Sequence, residues 1–254
     1  MGEFEGRVAI LFGAARGIGA AAARGFHREG ASVVVCDVLD AEGSALAAEL
    51  GERARYVRCD VADAAAIEAA YRAADAAFGG VDIVLNNVGI TRYGTVDVLS
   101  LEDWDYSLRV NLTAHFVSAH HAIPRLRARG GGVIVNTSSI LGHASQKTTA
   151  SYAAAKAGIQ GLTRTIAIDH ATEGIRCVSI SPGTIDTPLV RHVASGFGET
   201  ETVLGAWAAA HPVNRLGTAE EVAETILFLA SPRAGFITGS DILIDGGIRS
   251  ELYA

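Results

Sequence analysis

The sequence predicts an α/β fold, a mostly parallel sheet covered by helices on both faces. Three observations predict it. Short aliphatic runs recur along the chain, and several are apolar at every position, as strands buried on both faces read. Longer alanine-rich stretches with helix-forming composition and spacing separate these runs. The first run passes directly into a glycine-rich turn and then into a helical stretch. Strands that alternate with helices build parallel sheets, because a parallel pair needs a long crossover.

The elements follow in order. Strands are expected at 8–12, 32–36, 54–59, 81–85, 133–136, 176–180 and 242–244. Helices are expected near 17–29, 40–50, 63–78, 103–129, 151–173 and 218–230. One stretch breaks the rhythm. Positions 184–212 carry Gly196, Gly198 and Gly205 and read as an insertion of short helices after the sixth strand, either a lid over the strand ends or a passive surface excursion. No linker, repeat or low-complexity tract divides the 254 residues, so one domain over 1–254 is expected.

Composition narrows the function. Apolar residues are 49% of the chain, enough for a large core, and charged residues only 19%, too few for a disordered chain. The net charge is −7 with no basic run, which argues against a nucleic-acid partner. Cys36, Cys59 and Cys177 show no metal-ligand spacing and read as reduced core thiols, so no metal site is expected. The first ten residues, MGEFEGRVAI, are acidic and lack a signal-peptide apolar region, and no run is long enough to span a bilayer. A cytoplasmic location without a membrane partner is the expectation.

The turn Gly13-Ala14-Ala15-Arg16-Gly17-Ile18-Gly19 between strand and helix forms a phosphate cradle. Gly13 permits the tight turn, and Gly17 and Gly19 let backbone and helix N-terminus approach a pyrophosphate. The second strand ends at Asp37, 18 residues after Gly19. An acid there accepts from a ribose 2′-hydroxyl and repels a 2′-phosphate, which favours NAD over NADP. Arg16 pulls the other way, since a guanidinium in the first turn could meet that phosphate.

Tyr152 and Lys156 stand four apart at the start of a helix and share a face. Lys156 is one of only two lysines in the chain, the other being Lys147. A neighbouring ammonium favours tyrosinate and is expected to lower the phenol pKa, so that the phenol can exchange a proton with an alcohol or carbonyl oxygen. Ser139 lies 13 residues earlier, beyond the fifth strand. A hydroxyl at that strand end could hold the reacting oxygen; Ser138 is the alternative.

These motifs resemble those of the short-chain dehydrogenase/reductase family, from Arg7 to about Gly247. The cofactor turn is similar to the family's TGxxxGIG, with Phe12 in place of threonine. Asp60-Val61 resembles the adenine-contacting pair, and Asn86-Asn87-Val88-Gly89 resembles NNAG, with valine replacing alanine. Asn111 matches the family's catalytic asparagine. Ser139, Tyr152 and Lys156 match the remaining catalytic positions, and the Ser–Tyr spacing selects Ser139 over Ser138. Pro182-Gly183, with Ile185 and Thr187, matches the segment that holds the nicotinamide carboxamide.

The resemblance implies a doubly wound Rossmann fold with seven parallel strands, a homotetramer or dimer, and hydride exchange between a secondary alcohol or ketone and NAD, with NADP second. Cofactor contacts would come from Gly13, Arg16, Gly17, Ile18, Gly19, Asp37, Val38, Asp60, Val61, Asn87, Gly89, Tyr152, Lys156, Pro182, Gly183, Ile185 and Thr187. Ser139 would bind the substrate oxygen, Tyr152 would act as acid/base, Lys156 would bind the nicotinamide ribose, and Asn111 would hold a relay water. Substrate walls would come from Val88, Thr91 and Tyr93, from His143, Ser145, Gln146 and Lys147, and from Ile185, Leu189 and His192. The polar middle group favours a sugar, polyol or hydroxy acid. A steroid or aromatic diol stays open through the apolar lid residues Leu189, Val193, Phe197 and Trp207. The alternatives are an NADPH-linked 3-oxoacyl-thioester reductase and a catalytically silent dinucleotide sensor.

Overall fold

The structure, a computed structural model, describes residues 2–250. The chain runs β1 (Val8–Phe12), α1 (Gly17–Arg28), β2 (Ser32–Asp37), α2 (Asp40–Leu50), β3 (Ala54–Arg58), α3 (Ala64–Phe78) and β4 (Ile83–Asn86). It continues through α4 (Leu101–Leu108), α5 (Ala114–Ala128), β5 (Gly132–Thr137), α6 (Ala150–His170) and β6 (Ile175–Pro182). The last part holds β7 (Ile185–Asp186), α7 (Pro188–Ser195), α8 (Thr200–Ala209), β8 (Gly217–Thr218), α9 (Ala219–Ala230) and β9 (Asp241–Ile244).

Seven strands form one parallel sheet in the order β3-β2-β1-β4-β5-β6-β9. The doubly wound Rossmann architecture expected from the motifs is present. All five residues of β1 are buried, because both faces of this central strand are covered. Phe26, Val178 and Leu227 pack in the core under α1 and α9, whereas Tyr71, Leu126 and Ile134 pack in the core under α3 and α5. The winding reverses between β1 and β4, so a crevice opens at the carboxyl ends of those strands, where such sheets bind ligands.

Local chemistry sets the helix ends. Asp63 caps α3 by accepting from the Ala65 amide, and Gly79 ends it in a left-handed conformation. Thr218 and Glu221 form a capping box that starts α9.

Three differences from expectation bear on the site. The helix expected near 103–129 is split into α4 and α5 by a π-helical turn at Arg109–Thr113. That extra residue in the ladder rotates Asn111 inward, and a hydrophobic period does not record it. The sixth strand runs on to Pro182, because its last residues pair with β9. The 184–212 excursion contains α7 and α8, and its entry strand β7 pairs in parallel with β8 just beyond its end.

Candidate active site

The crevice is a groove of about 720 Å³ that follows the carboxyl ends of the central strands. Every residue expected to contact a dinucleotide lines it except Gly19, which lies beneath: Gly13, Arg16, Gly17, Ile18, Asp37, Val38, Asp60, Val61, Asn87, Gly89, Tyr152, Lys156, Pro182, Gly183, Ile185 and Thr187. Ser139 lines it too.

The first turn has the shape a dinucleotide needs. Gly13 adopts a positive φ of 76°, and a Cβ there would lie 2.9 Å from the Val88 backbone. A Cβ on Gly19 would lie 2.1 Å from the Gly13 carbonyl oxygen, so only glycine lets α1 start this close to β1. Asn87 closes the other side by donating to the Gly13 carbonyl at 2.9 Å. The result is a cradle of backbone at a helix N-terminus, open towards the groove, and it fits a pyrophosphate.

Asp37 sits at one end. Its carboxylate accepts from the Ala15 amide at 3.0 Å and from the Val38 amide at 2.8 Å. The two nearby guanidiniums are already engaged: Arg16 pairs with Glu42, and Arg58 pairs with Asp40 at 2.6 Å.

The other end gathers the four catalytic candidates. The hydroxyl of Ser138 donates to the Lys156 carbonyl at 2.9 Å and is committed to the backbone of α6. Ser139 is left facing the groove; its hydroxyl accepts from the Leu141 amide at 3.1 Å, and Tyr152 lines the same stretch of the groove. Lys156 is 1% exposed, and its ammonium donates to the Thr137 carbonyl at 2.7 Å. Asn111, fully buried on its π-turn, accepts from the Ile90 amide and donates to the Ile90 carbonyl, each at 2.9 Å. Its Oδ1 and the Lys156 ammonium both lie 3.5 Å from the point where a Gly89 Cβ would stand. Gly89 thus borders the polar corner that Asn111 and Lys156 share.

The electrostatics depart from expectation. Burial pushes the Tyr152 phenol up to about 12; the Ser139 hydroxyl opposes the rise and Tyr93 adds to it. Burial also lowers Lys156 from its ordinary 10.5 to about 7. Its ammonium lies 5.4 Å from the Tyr152 ring centroid, over the ring face. The expected lowering of the phenol by Lys156 is not found in the free protein, where burial of the phenol dominates and raises it.

The expected substrate walls separate. Val88, Thr91, Ile185, Leu189 and His192 line the groove. Tyr93 packs edge-on against Phe197 at 6.0 Å, and Phe197 against Trp207 at 6.2 Å, which ties the loop after β4 to the lid. His143, Ser145 and Gln146 line a different hollow against the alanine face of α6, and His143 bonds Asp241 at 2.6 Å. Three of the four polar residues that favoured a sugar or polyol, His143, Ser145 and Gln146, thus line this other hollow and not the groove.

Sequence reasoning missed Asn136 and Thr137. Asn136 accepts from Asn86 at 2.9 Å inside the sheet, and the Thr137 carbonyl holds Lys156. Only the polar tail of an otherwise aliphatic strand hinted at them. Among the described residues, no group of three or more His, Cys, Asp or Glu could hold a metal ion, and no helix is long and apolar enough to cross a membrane.

Comparison with known proteins agrees with this geometry. Residues 13–249 match the family model described as enoyl-(acyl carrier protein) reductase. A cis-4-hydroxycyclohexanecarboxylate dehydrogenase of Sinomonas cyclohexanicum is 41% identical over 97% of this chain and 98% of its own. A 3-alpha-(or 20-beta)-hydroxysteroid dehydrogenase of Mycobacterium tuberculosis is 39% identical over 97% of this chain and 90% of its own. A cyclohexanol dehydrogenase of Acinetobacter sp. is 38% identical over 98% of this chain and 97% of its own.

Proposed function

The chain belongs to the short-chain dehydrogenase/reductase family of nicotinamide-dependent oxidoreductases, and from that premise we propose that it interconverts an alicyclic secondary alcohol and its ketone with NAD. The observation that carries this reading is that Ser139 and Tyr152 line the same groove as the apolar residues Leu189, Val190 and Ile90. An apolar wall suits a ring, and the two hydroxyls suit its one oxygen. The relatives named for cyclohexane-ring and steroid alcohols support the same class. The placement of His143, Ser145 and Gln146 in a different hollow removes the main argument for a sugar or polyol.

NAD is favoured over NADP. Asp37 presents to the groove a carboxylate that would repel a 2′-phosphate, and Arg16 and Arg58 are both paired with acidic partners. Gly13, Gly17 and Asn87 would hold the pyrophosphate end, and Pro182, Gly183, Ile185 and Thr187 the nicotinamide end. When bound, the dinucleotide supplies the hydride acceptor or donor.

The chain's own residues handle the oxygen and its proton. Ser139 donates a hydrogen bond to the substrate oxygen. In oxidation, Tyr152 Oη takes the hydroxyl proton as the carbinol hydrogen leaves as hydride, and the product is the ketone. Lys156, close to its titration midpoint at neutral pH, passes a proton on towards the polar corner held by Asn111. Reduction reverses each transfer. Because Tyr152 must be deprotonated to act as base and stands near 12 in the free protein, oxidation at subsaturating substrate should rise with pH into the alkaline range.

A homotetramer or dimer is part of the proposal. Phe116, Ile168 and Phe236 stand 57%, 78% and 105% exposed, which supports burial against further copies of the chain. Light scattering tests it.

The test of function is nicotinamide absorbance with NAD and NADP against cyclohexanol, 4-hydroxycyclohexanecarboxylates, a hydroxysteroid, polyols and a 3-hydroxyacyl thioester. NAD-linked turnover of a ring alcohol is expected. Turnover confined to the thioester with NADP would overturn the reading.

A further inference from the structure

The lid excursion begins at Thr184 and ends at Pro212, and one buried imidazole joins its two ends. His211 follows α8 and is 3% exposed. Its Nδ1 lies 2.8 Å from the Trp207 carbonyl oxygen, and its Nε2 lies 3.2 Å from the Thr184 amide. A carbonyl can only accept and a backbone amide can only donate. The proton therefore sits on Nδ1, and Nε2 is the acceptor. Both partners are satisfied only by the neutral ring in this one tautomer.

The ring also touches the groove's floor from behind. A Cβ on Gly183 would stand 3.0 Å from His211 Nε2 and 3.0 Å from the Asp245 Cα. Gly183 itself lines the groove beside Pro182, and its amide donates to the Ile244 carbonyl at 3.0 Å. On the other side, the Thr184 carbonyl accepts from the Gly217 amide at 3.1 Å. Thr184 is thus held at both of its peptide groups, by His211 on one and by the start of β8 on the other. Asp245 packs on the same glycine, with its carboxylate taken by the Gly247 and Arg249 amides.

The geometry points to His211 as a positioning residue: through the Thr184 amide it sets the Pro182-Gly183-Thr184 corner against which the nicotinamide end of the dinucleotide is held, and it fixes that corner to the lid helix α8. It touches neither substrate nor cofactor. The inference rests on the dinucleotide reading of the groove.

Three variants separate the two hydrogen bonds. His211→Gln places an acceptor near the Nε2 position and keeps the Thr184 bond. His211→Asn places a donor near Nδ1 and keeps the Trp207 bond. His211→Phe keeps the ring and loses both. NADH affinity is measured by fluorescence titration, and Tm alongside it. His211→Gln should bind NADH within about twofold of wild type, whereas His211→Asn and His211→Phe should each lose about tenfold, the effect of one buried amide left unmade. Equal losses in the Gln and Asn variants would overturn the role of Thr184, even if the Phe variant does not fold. So would a Phe variant that binds as tightly as wild type, or losses that follow Tm alone. Wild-type protein that binds neither NADH nor NADPH would overturn the dinucleotide reading and, with it, this one.

Discussion

The two ends of the sheet each bury a charge and treat it in opposite ways. At the amino end, Asp82 is 2% exposed just before β4. Its carboxylate accepts from Arg7 at 2.9 Å, from Arg129 at 3.0 and 3.1 Å, and from the Val8 amide at 2.9 Å. Those hydrogen bonds and charges outweigh burial and hold its pKa below the usual carboxylate range. At the carboxyl end, Lys156 is as deeply buried but is held by a neutral carbonyl, and burial depresses it to about 7. A buried ion whose partners satisfy it staples the starts of β1, β4 and β5. A buried ion left short of partners stays able to gain or lose a proton near neutral pH. One end of the molecule serves stability, and under the proposed function the other serves proton transfer.

The largest effect should come from Tyr152→Phe. Turnover should fall by about 10²–10⁴-fold or more, with NADH binding and Tm kept, because the lost hydroxyl carries chemistry and no structure. Stopped-flow single turnovers with a fluorescence titration check this; a variant that retains turnover removes Tyr152 from the mechanism.

Asp82→Asn should do the reverse and lower stability by about 2–4 kcal/mol, moderated because Arg7 and Arg129 remain partly solvated, while activity per folded molecule persists. Asp82 is depressed in the folded state, so its contribution is present above the unfolded carboxylate range and is lost as pH falls through its folded value. The acid limb of the wild-type stability curve should therefore be shallower in the variant. Denaturant melts from neutral to acid pH measure both.

Lys156→Met isolates the other charge. Activity should drop by about 10²-fold, yet stability at neutral pH should hold or rise slightly, since a desolvated cation is replaced by an apolar chain. The lysine titrates at about 7 folded and 10.5 when exposed. The unfolded chain therefore binds the extra proton between those values, and wild type should gain stability relative to the variant as pH rises across that window. If Lys156→Met destabilises as much as Asp82→Asn, the contrast between the two ends is wrong.

Legibility followed the same divide between local and distant causes. The strands could be read because several are apolar at every position, and the cradle because Gly19 answers to the Gly13 and Ala14 backbone beside it, although the backbone that crowds Gly13 itself is that of Val88, far along the chain. Tyr152 and Lys156 could be read because helical spacing places them side by side. The pKa of either could not, since burial depends on the whole groove. Asn111's π-turn left no trace in a hydrophobic period. The direction of His143 was set by Asp241, 98 residues away, and no local pattern predicts that partner. Nothing local in the sequence marks His211 either, because its partner Thr184 lies 27 residues before it.

The smallest expected effect concerns cofactor choice and sharpens the comparison within the functional end itself. Asp37 resembles Asp82 in accepting backbone amides, from Ala15, Val38 and Leu39, but it faces an open groove. Asp37→Ser removes the charge that would repel a 2′-phosphate, and the ratio of NADP to NAD affinity should rise by about tenfold. It should not invert, because Arg16 and Arg58 are still occupied by Glu42 and Asp40 and each must give up a pair to meet a phosphate. Adding Glu42→Gln frees Arg16, and the double variant should move further towards NADP than the sum of the two single changes. Fluorescence titrations of NADH and NADPH on the four proteins decide it. Additive effects would mean that Arg16 is not restrained by its partner, and that the carboxylate of Asp37 alone sets the preference.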